Sequence, residues 1–175
     1  MYAIIKNNAV TKVGELFTLS SGVFIHPTGS AYEGWALANN VLEVIEGEQK
    51  DQRFYWVNFD SYSVGVDFVT RNYTNMPKAL EDVTEIPEGS TEPVTTTGLK
   101  SQWIAQGKVS ANSQLAATDW MVIRKAERNV DIPADVVAER AKIIADCATK
   151  ETAILAATTV DELIAVVAPV NTEMP

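Results

Sequence analysis

Metal and acyl-transfer chemistry both draw on histidine and cysteine, and this 175-residue chain has one of each, His26 and Cys147. They lie in different halves of the sequence, so a structural zinc site, which needs four clustered ligands, is not expected. His26 precedes Pro27 and reads as an ordinary loop residue. No serine stands in a G-x-S-x-G elbow that would supply a nucleophile for it. Gly29 and Gly34 have the wrong spacing and context for a phosphate loop, and no run of alternating oxygen ligands suggests calcium. Glu43, Glu46 and Glu48 could be read as a glycosidase carboxylate pair, but acidic residues spaced along a strand more simply form a solvated face. Cys147, within Ile143-Ile-Ala-Asp-Cys-Ala148, reads as a passive helical side chain. The expectation is a protein that is not an enzyme, with no catalytic residue, no metal and no cofactor.

What remains is recognition. Phe54, Tyr55 and Trp56 are consecutive in a strand-like segment, so their side chains alternate between the two sheet faces. At least one face then shows aromatic surface unless a helix or loop covers it, which makes Tyr55 and Trp56 candidate partner contacts. A carbohydrate-binding pocket lined by Tyr55, Trp56 or Tyr62 is an alternative use of the same residues.

The second recognition candidate spans residues 115–140. It contains Leu115, Thr118-Asp119-Trp120, Arg124 and Glu127, then Ile132-Pro133, Val136, Val137 and Arg140. The spacing predicts a helical hairpin built around a buried Trp120 packed against Val136, Val137 and Ile143. Leu115, Trp120 and Ile123 would share one side of a continuous helix, and Arg124 and Glu127 could pair at i, i+3. Trp120, Arg124 and Arg140 are the candidate partner-binding residues.

These residues must be positioned by two unlike halves. The first 83 residues predict an antiparallel β-rich domain. Strands at 2–6 and 10–13 flank Asn7-Asn8, whose tolerance of positive φ suits a tight hairpin. A punctuated loop follows at 19–30. Strands at 41–46 and 53–58 are expected to pair across a turn at 47–52, with a further strand at 65–73 completing a meander. Residues 84–97, with two prolines, one glycine and five threonines, read as a linker too polar to bury a core.

Residues 98–175 predict a helical module. A first helix starts near Leu99, is interrupted by Gly107, and either ends near Ala116 or continues to Arg128. A second opens at Pro133 and runs to about Ala156. Thr159-Val-Asp-Glu162 matches a capping box for a short third helix ending near Ala168, before a loose tail. The fold class is therefore α+β: an antiparallel β-rich domain, a linker, and a C-terminal helical hairpin module.

Bulk properties narrow the partners. The formal net charge is −9, of which −7 falls in residues 1–96 and −2 in residues 97–175. Such a chain lacks the basic surface that nucleic acid or an anionic membrane requires. No apolar run reaches the length of a membrane span, and the first residues carry no signal-peptide pattern.

The order of Leu115, Thr118-Asp119-Trp120, Arg124, Glu127, Ile132-Pro133, Val136 and Arg140 resembles the C-terminal helical module of phage tail-fibre assembly proteins and of other small phage tail proteins. The resemblance covers about 30 residues and implies a helper or accessory of a trimeric tail fibre. By that resemblance Trp120 and Pro133 shape the hairpin, Arg124 and Arg140 contact a fibre or baseplate protein, and no catalytic residue is carried over. It places the chain in the host cytoplasm during assembly, with retention on the virion tail and homo-oligomer formation left open. A structural tail component and a small carbohydrate-binding β domain with a helical appendage are the alternative readings.

Overall fold

The computed structural model describes residues 1–14, 17–18, 24–25 and 40–168. The expectations for His26, for the glycines of the 19–34 stretch and for the terminal tail fall outside those residues. Among the described residues the chain divides into two units, Met1–Met76 and Pro77–Pro175.

In the first unit, Asn7 and Asn8 both take left-handed backbone angles (φ 53° and 59°), which turns β1 (Tyr2–Lys6) directly into β2 (Ala9–Gly14). The pairing is antiparallel, with a register shift between Ile4 and Ile5. Short β3 (Phe17–Thr18) and β4 (Phe24–Ile25) pair separately. β5 (Val41–Glu46), β6 (Tyr55–Val64) and β7 (Phe68–Pro77) complete a five-stranded sheet in the order β2-β1-β5-β7-β6.

The expected antiparallel meander needs correction here. β5 does not pair with β6; it pairs in parallel with β7, Glu43 opposite Phe68 through Glu46 opposite Arg71. The 47–54 connection is too long for a tight hairpin and is anchored by its own bonds. Asp51 accepts from the N–H groups of Phe54 and Tyr55, and Lys50 N–H donates to Asn75 Oδ1. β6 and its flanking turns thus serve as the crossover that parallel neighbours require. The sheet is mixed. Ala3, Val44 and Val69 form its buried centre, with Leu42, Tyr62 and Val64 packed around them.

In the second unit, the 84–97 stretch expected as a linker contains a hairpin. β8 (Val83–Glu85) pairs antiparallel with β9 (Val94–Thr96), and the Thr84 and Thr95 hydroxyls meet at 2.8 Å. Its side chains are exposed, so cross-strand hydrogen bonds rather than a core hold it. Three helices follow: α1 (Leu99–Arg128), α2 (Ala134–Ala156) and α3 (Val160–Val167). α1 passes Gly107 and Thr118 without a break. Thr159 and Glu162 form the expected reciprocal capping box on α3. The chain is α+β, as its composition and periodicity predict, and none of its described helices is long and apolar enough to cross a membrane.

Most of the buried apolar residues described in this unit, Leu99, Ile154, Ala157, Val160 and Leu163, belong to the start of α1, the end of α2 and α3, with Ala111 buried in mid-α1. Lys100 ties that end together. It is only 8% exposed, and its ammonium donates to Glu81 Oε1 (2.5 Å) and to the Leu155 carbonyl (3.1 Å), a position where the α2 dipole favours a cation.

Candidate partner-binding site

The far end of the α1–α2 hairpin carries the residues singled out above. α1 ends on Asn129 in the left-handed conformation (φ 54°), whose N–H reaches the Lys125 carbonyl at 3.0 Å. The Lys125 ammonium pairs with Asp131 in the turn and holds that carboxyl below its ordinary range. Pro133 caps α2 and accepts from the Val137 N–H.

Arg140 fastens the two helices. One guanidinium nitrogen donates to the Leu115 carbonyl (2.8 Å) and to Thr118 Oγ1 (2.6 Å), and the other to Asp119 Oδ1 (2.9 Å). The planar fork of an arginine suits this three-way grip, which a lysine could not reproduce. Arg140, expected as a partner contact, is thus engaged within the hairpin as a positioning residue.

Trp120 requires a correction. It does not fill the hairpin seam against Val136, Val137 and Ile143, because its side chain is 52% exposed. Thr118 points at α2, as its bond from Arg140 shows, and two residues further is about 200° round the helix, so the indole turns outward. Ile123 is likewise exposed. The seam is instead lined by smaller or half-buried residues, with Ala111 buried in the middle of α1. Arg124 lies over the outward Trp120 ring at 4.9 Å from its centroid, the i, i+4 spacing favouring that stack. Its Nε is buried with no hydrogen-bond partner. The outcome is an exposed indole with a half-buried guanidinium stacked on it, about two turns from the hairpin tip.

A groove of about 360 Å³ runs between α1 and α2 nearer the core, floored by Trp103, Gly107, Ala111, Ile143, Cys147 and Ile154. Four of the charged residues along it are paired, Lys108 with Glu151 and Lys142 with Asp146. Among the described residues no group of histidine, cysteine or acidic side chains could hold a metal ion.

The β-rich unit separates its aromatic candidates. Tyr55 is buried, with the Lys50 ammonium 4.5 Å above its ring, whereas Trp56 is 60% exposed. Tyr62 packs beside the sheet core and against Phe59 at 4.9 Å. Tyr55 and Trp56, adjacent in β6, face opposite ways, so these residues do not line one pocket.

A cluster missed by the sequence reading lies on the same sheet. The Arg71 guanidinium is 5.3 Å from the Phe59 ring and 5.4 Å from the Tyr73 ring, and pairs with Glu46 at 3.7 Å. The Tyr73 hydroxyl donates to Glu46, which raises the phenol pKa by holding its proton. Glu46 is exposed, as the solvated-face reading expects, and also serves as acceptor for Tyr73 and ion-pair partner of Arg71. Only the parallel register of β5 on β7 sets Glu46 beside Arg71.

Comparison of the chain with family models, curated proteins and solved structures finds no match.

Proposed function

We propose that this chain is a bacteriophage tail-fibre-associated protein, an assembly chaperone or accessory whose helical hairpin binds a fibre or baseplate protein. The observation that carries the reading is the outward Trp120 with Arg124 stacked on it, within the run of residues whose order resembles the tail-fibre assembly module. Tryptophan and arginine are the residue types that dominate interface energetics, because they bring large contact area and directed donors at modest entropic cost. Arg140 and the Asn129–Pro133 turn keep that pair on a fixed surface, so little ordering remains for binding to impose. The mechanism is cover: the hairpin masks apolar or strand-edge surface of the fibre chain until trimerisation buries it.

Co-expression with the candidate fibre chain tests this. Soluble trimeric fibre should depend on the wild-type protein and fall sharply with Trp120→Ala; fibre that trimerises equally well without the chain removes the proposal. A second reading, a structural tail component, draws on the exposed Trp56, Phe59 and Phe68 of the β-rich unit, which offer apolar surface for lattice contacts. Mass spectrometry of purified particles separates the two. A chaperone is absent from them, and a component is present in fixed stoichiometry.

A further inference from the structure

The chain carries five arginines among 23 aspartates and glutamates. Three of the five hold a carboxylate: Arg53 pairs with Asp51, Arg71 with Glu46 and Arg140 with Asp119. Arg124 and Arg128 pair with none among the described residues, although carboxylates are in excess. Glu127 takes neither of them, so the i, i+3 pair that the sequence allows does not form. Arg128 stands in the last turn of α1, where the helix dipole by itself favours a cation. Arg124 is a turn earlier, where that effect has fallen off. Its guanidinium lies instead over the exposed Trp120 ring, 4.9 Å from the centroid, and its Nε is buried without a partner.

We infer that Arg124 receives the carboxylate of an acidic partner segment, an aspartate or glutamate beside an apolar side chain that Trp120 and Ile123 cover. This deepens the fibre-binding reading, on which it rests for the partner's identity, by naming the chemistry of the segment that the hairpin recognises. The guanidinium carries the argument. The indole beneath it fixes where it lies, and the buried Nε leaves the two terminal nitrogens as the edge that is offered outward. Those nitrogens form the planar fork that a carboxylate accepts with both oxygens. Trp120 (52% exposed) and Ile123 (56% exposed) lie within about 100° of Arg124 around the helix, so apolar area adjoins the fork.

Charge gives the partner its sign. The chain as a whole carries −9, so an acidic segment is repelled by most of the surface. Attraction is confined to the place where two arginines stand unpaired at i, i+4, a like-charge spacing whose repulsion a carboxylate relieves. Lys125 adds nothing there, because Asp131 already neutralises it. A basic segment would find carboxylates over much of the chain and would be turned away at this spot. An acidic segment therefore selects this surface, and a basic one does not.

The test is a nuclear magnetic resonance titration of the full chain, isotopically labelled on its arginine and tryptophan side-chain nitrogens. The probes are the end-blocked peptide Ser-Asp-Leu-Glu-Ser and its amide counterpart Ser-Asn-Leu-Gln-Ser. The acidic peptide should shift the Arg124 Nε–H and Trp120 indole signals with a dissociation constant of about 1–10 mM, as suits so short a probe. The amide peptide should bind at least about tenfold more weakly. Arg124→Lys, which keeps the charge and loses the fork, should weaken the acidic peptide about fivefold, and Arg128→Gln only about twofold. The inference is overturned if the acidic peptide moves neither signal, if both peptides bind alike, or if Arg124→Lys binds as the wild type does. Inorganic phosphate that shifts the same signals as strongly marks an unselective anion site and overturns it too. The fibre reading fails by a separate result, fibre that trimerises without the chain, whatever the peptides do. Fibre that needs the chain but is indifferent to Arg124→Gln keeps that reading and removes this one.

Discussion

At the scale of single residues, Trp120 and Arg140 exchange the roles that their positions suggest. The bulky aromatic is outside and the charged side chain is the fastener. Trp120→Ala should therefore leave thermal stability within about 0.5 kcal/mol of wild type, as an exposed substitution does, while abolishing the proposed fibre binding. Arg140→Ala should behave in the opposite sense. Loss of its bonds to Leu115, Thr118 and Asp119 should cost about 1–3 kcal/mol, read as a lower denaturant midpoint with unchanged slope. The capping box gives a pH prediction. Glu162 accepts from the Thr158 backbone and hydroxyl and from the Thr159 backbone, which lowers its pKa. A depressed carboxyl stabilises the fold above its ordinary range, and that contribution disappears as pH falls through the folded-state value. Stability should therefore drop in the wild type as pH falls below the ordinary carboxyl range, and this acid-dependent part should be smaller in Glu162→Gln.

Among the elements, α1 owes its unbroken length to tertiary contacts rather than to propensity alone. Its first turn is docked rather than capped. The N–H groups of Leu99 and Lys100 donate to the Ala79 and Leu80 carbonyls, and the Gly98 N–H donates to Asp82 Oδ1 at 2.7 Å. Gly98 permits this approach, since an added Cβ would lie 2.3 Å from the Glu81 backbone. Gly107 is the contrasting case, with open space where a Cβ would go. Gly98→Ala should lower the melting temperature markedly, and Gly107→Ala should raise it by the equivalent of about 0.5–1 kcal/mol, both measurable by calorimetry. Gly107 reads in the sequence as an interruption and Gly98 as an unremarked loop residue. Their opposite consequences depend on what each meets in space.

For the whole molecule, the division at Met76 and Pro77 gives each unit its own buried centre, Ala3, Val44 and Val69 in one and Leu99, Ile154 and Leu163 in the other. Residues 77–175 expressed alone should retain helical circular dichroism and unfold cooperatively; a non-cooperative melt would show that the helical unit borrows its stability. By itself the sequence determined the α+β class, the Asn7-Asn8 turn, the start of α2 at Pro133 and the Thr159–Glu162 cap, all set by residues within a few positions of one another. Its residue order also supplied the tail-fibre resemblance that the proposed function draws on. Only the tertiary structure decided the parallel register of β5 on β7, the Arg71 cluster, the hairpin within residues 84–97 and the outward turn of Trp120. Each of those joins or orients residues through pairings that backbone propensity and hydrophobic period do not encode. Which strand a strand meets, and which side of a long helix meets another, is fixed by the packing of the assembled chain.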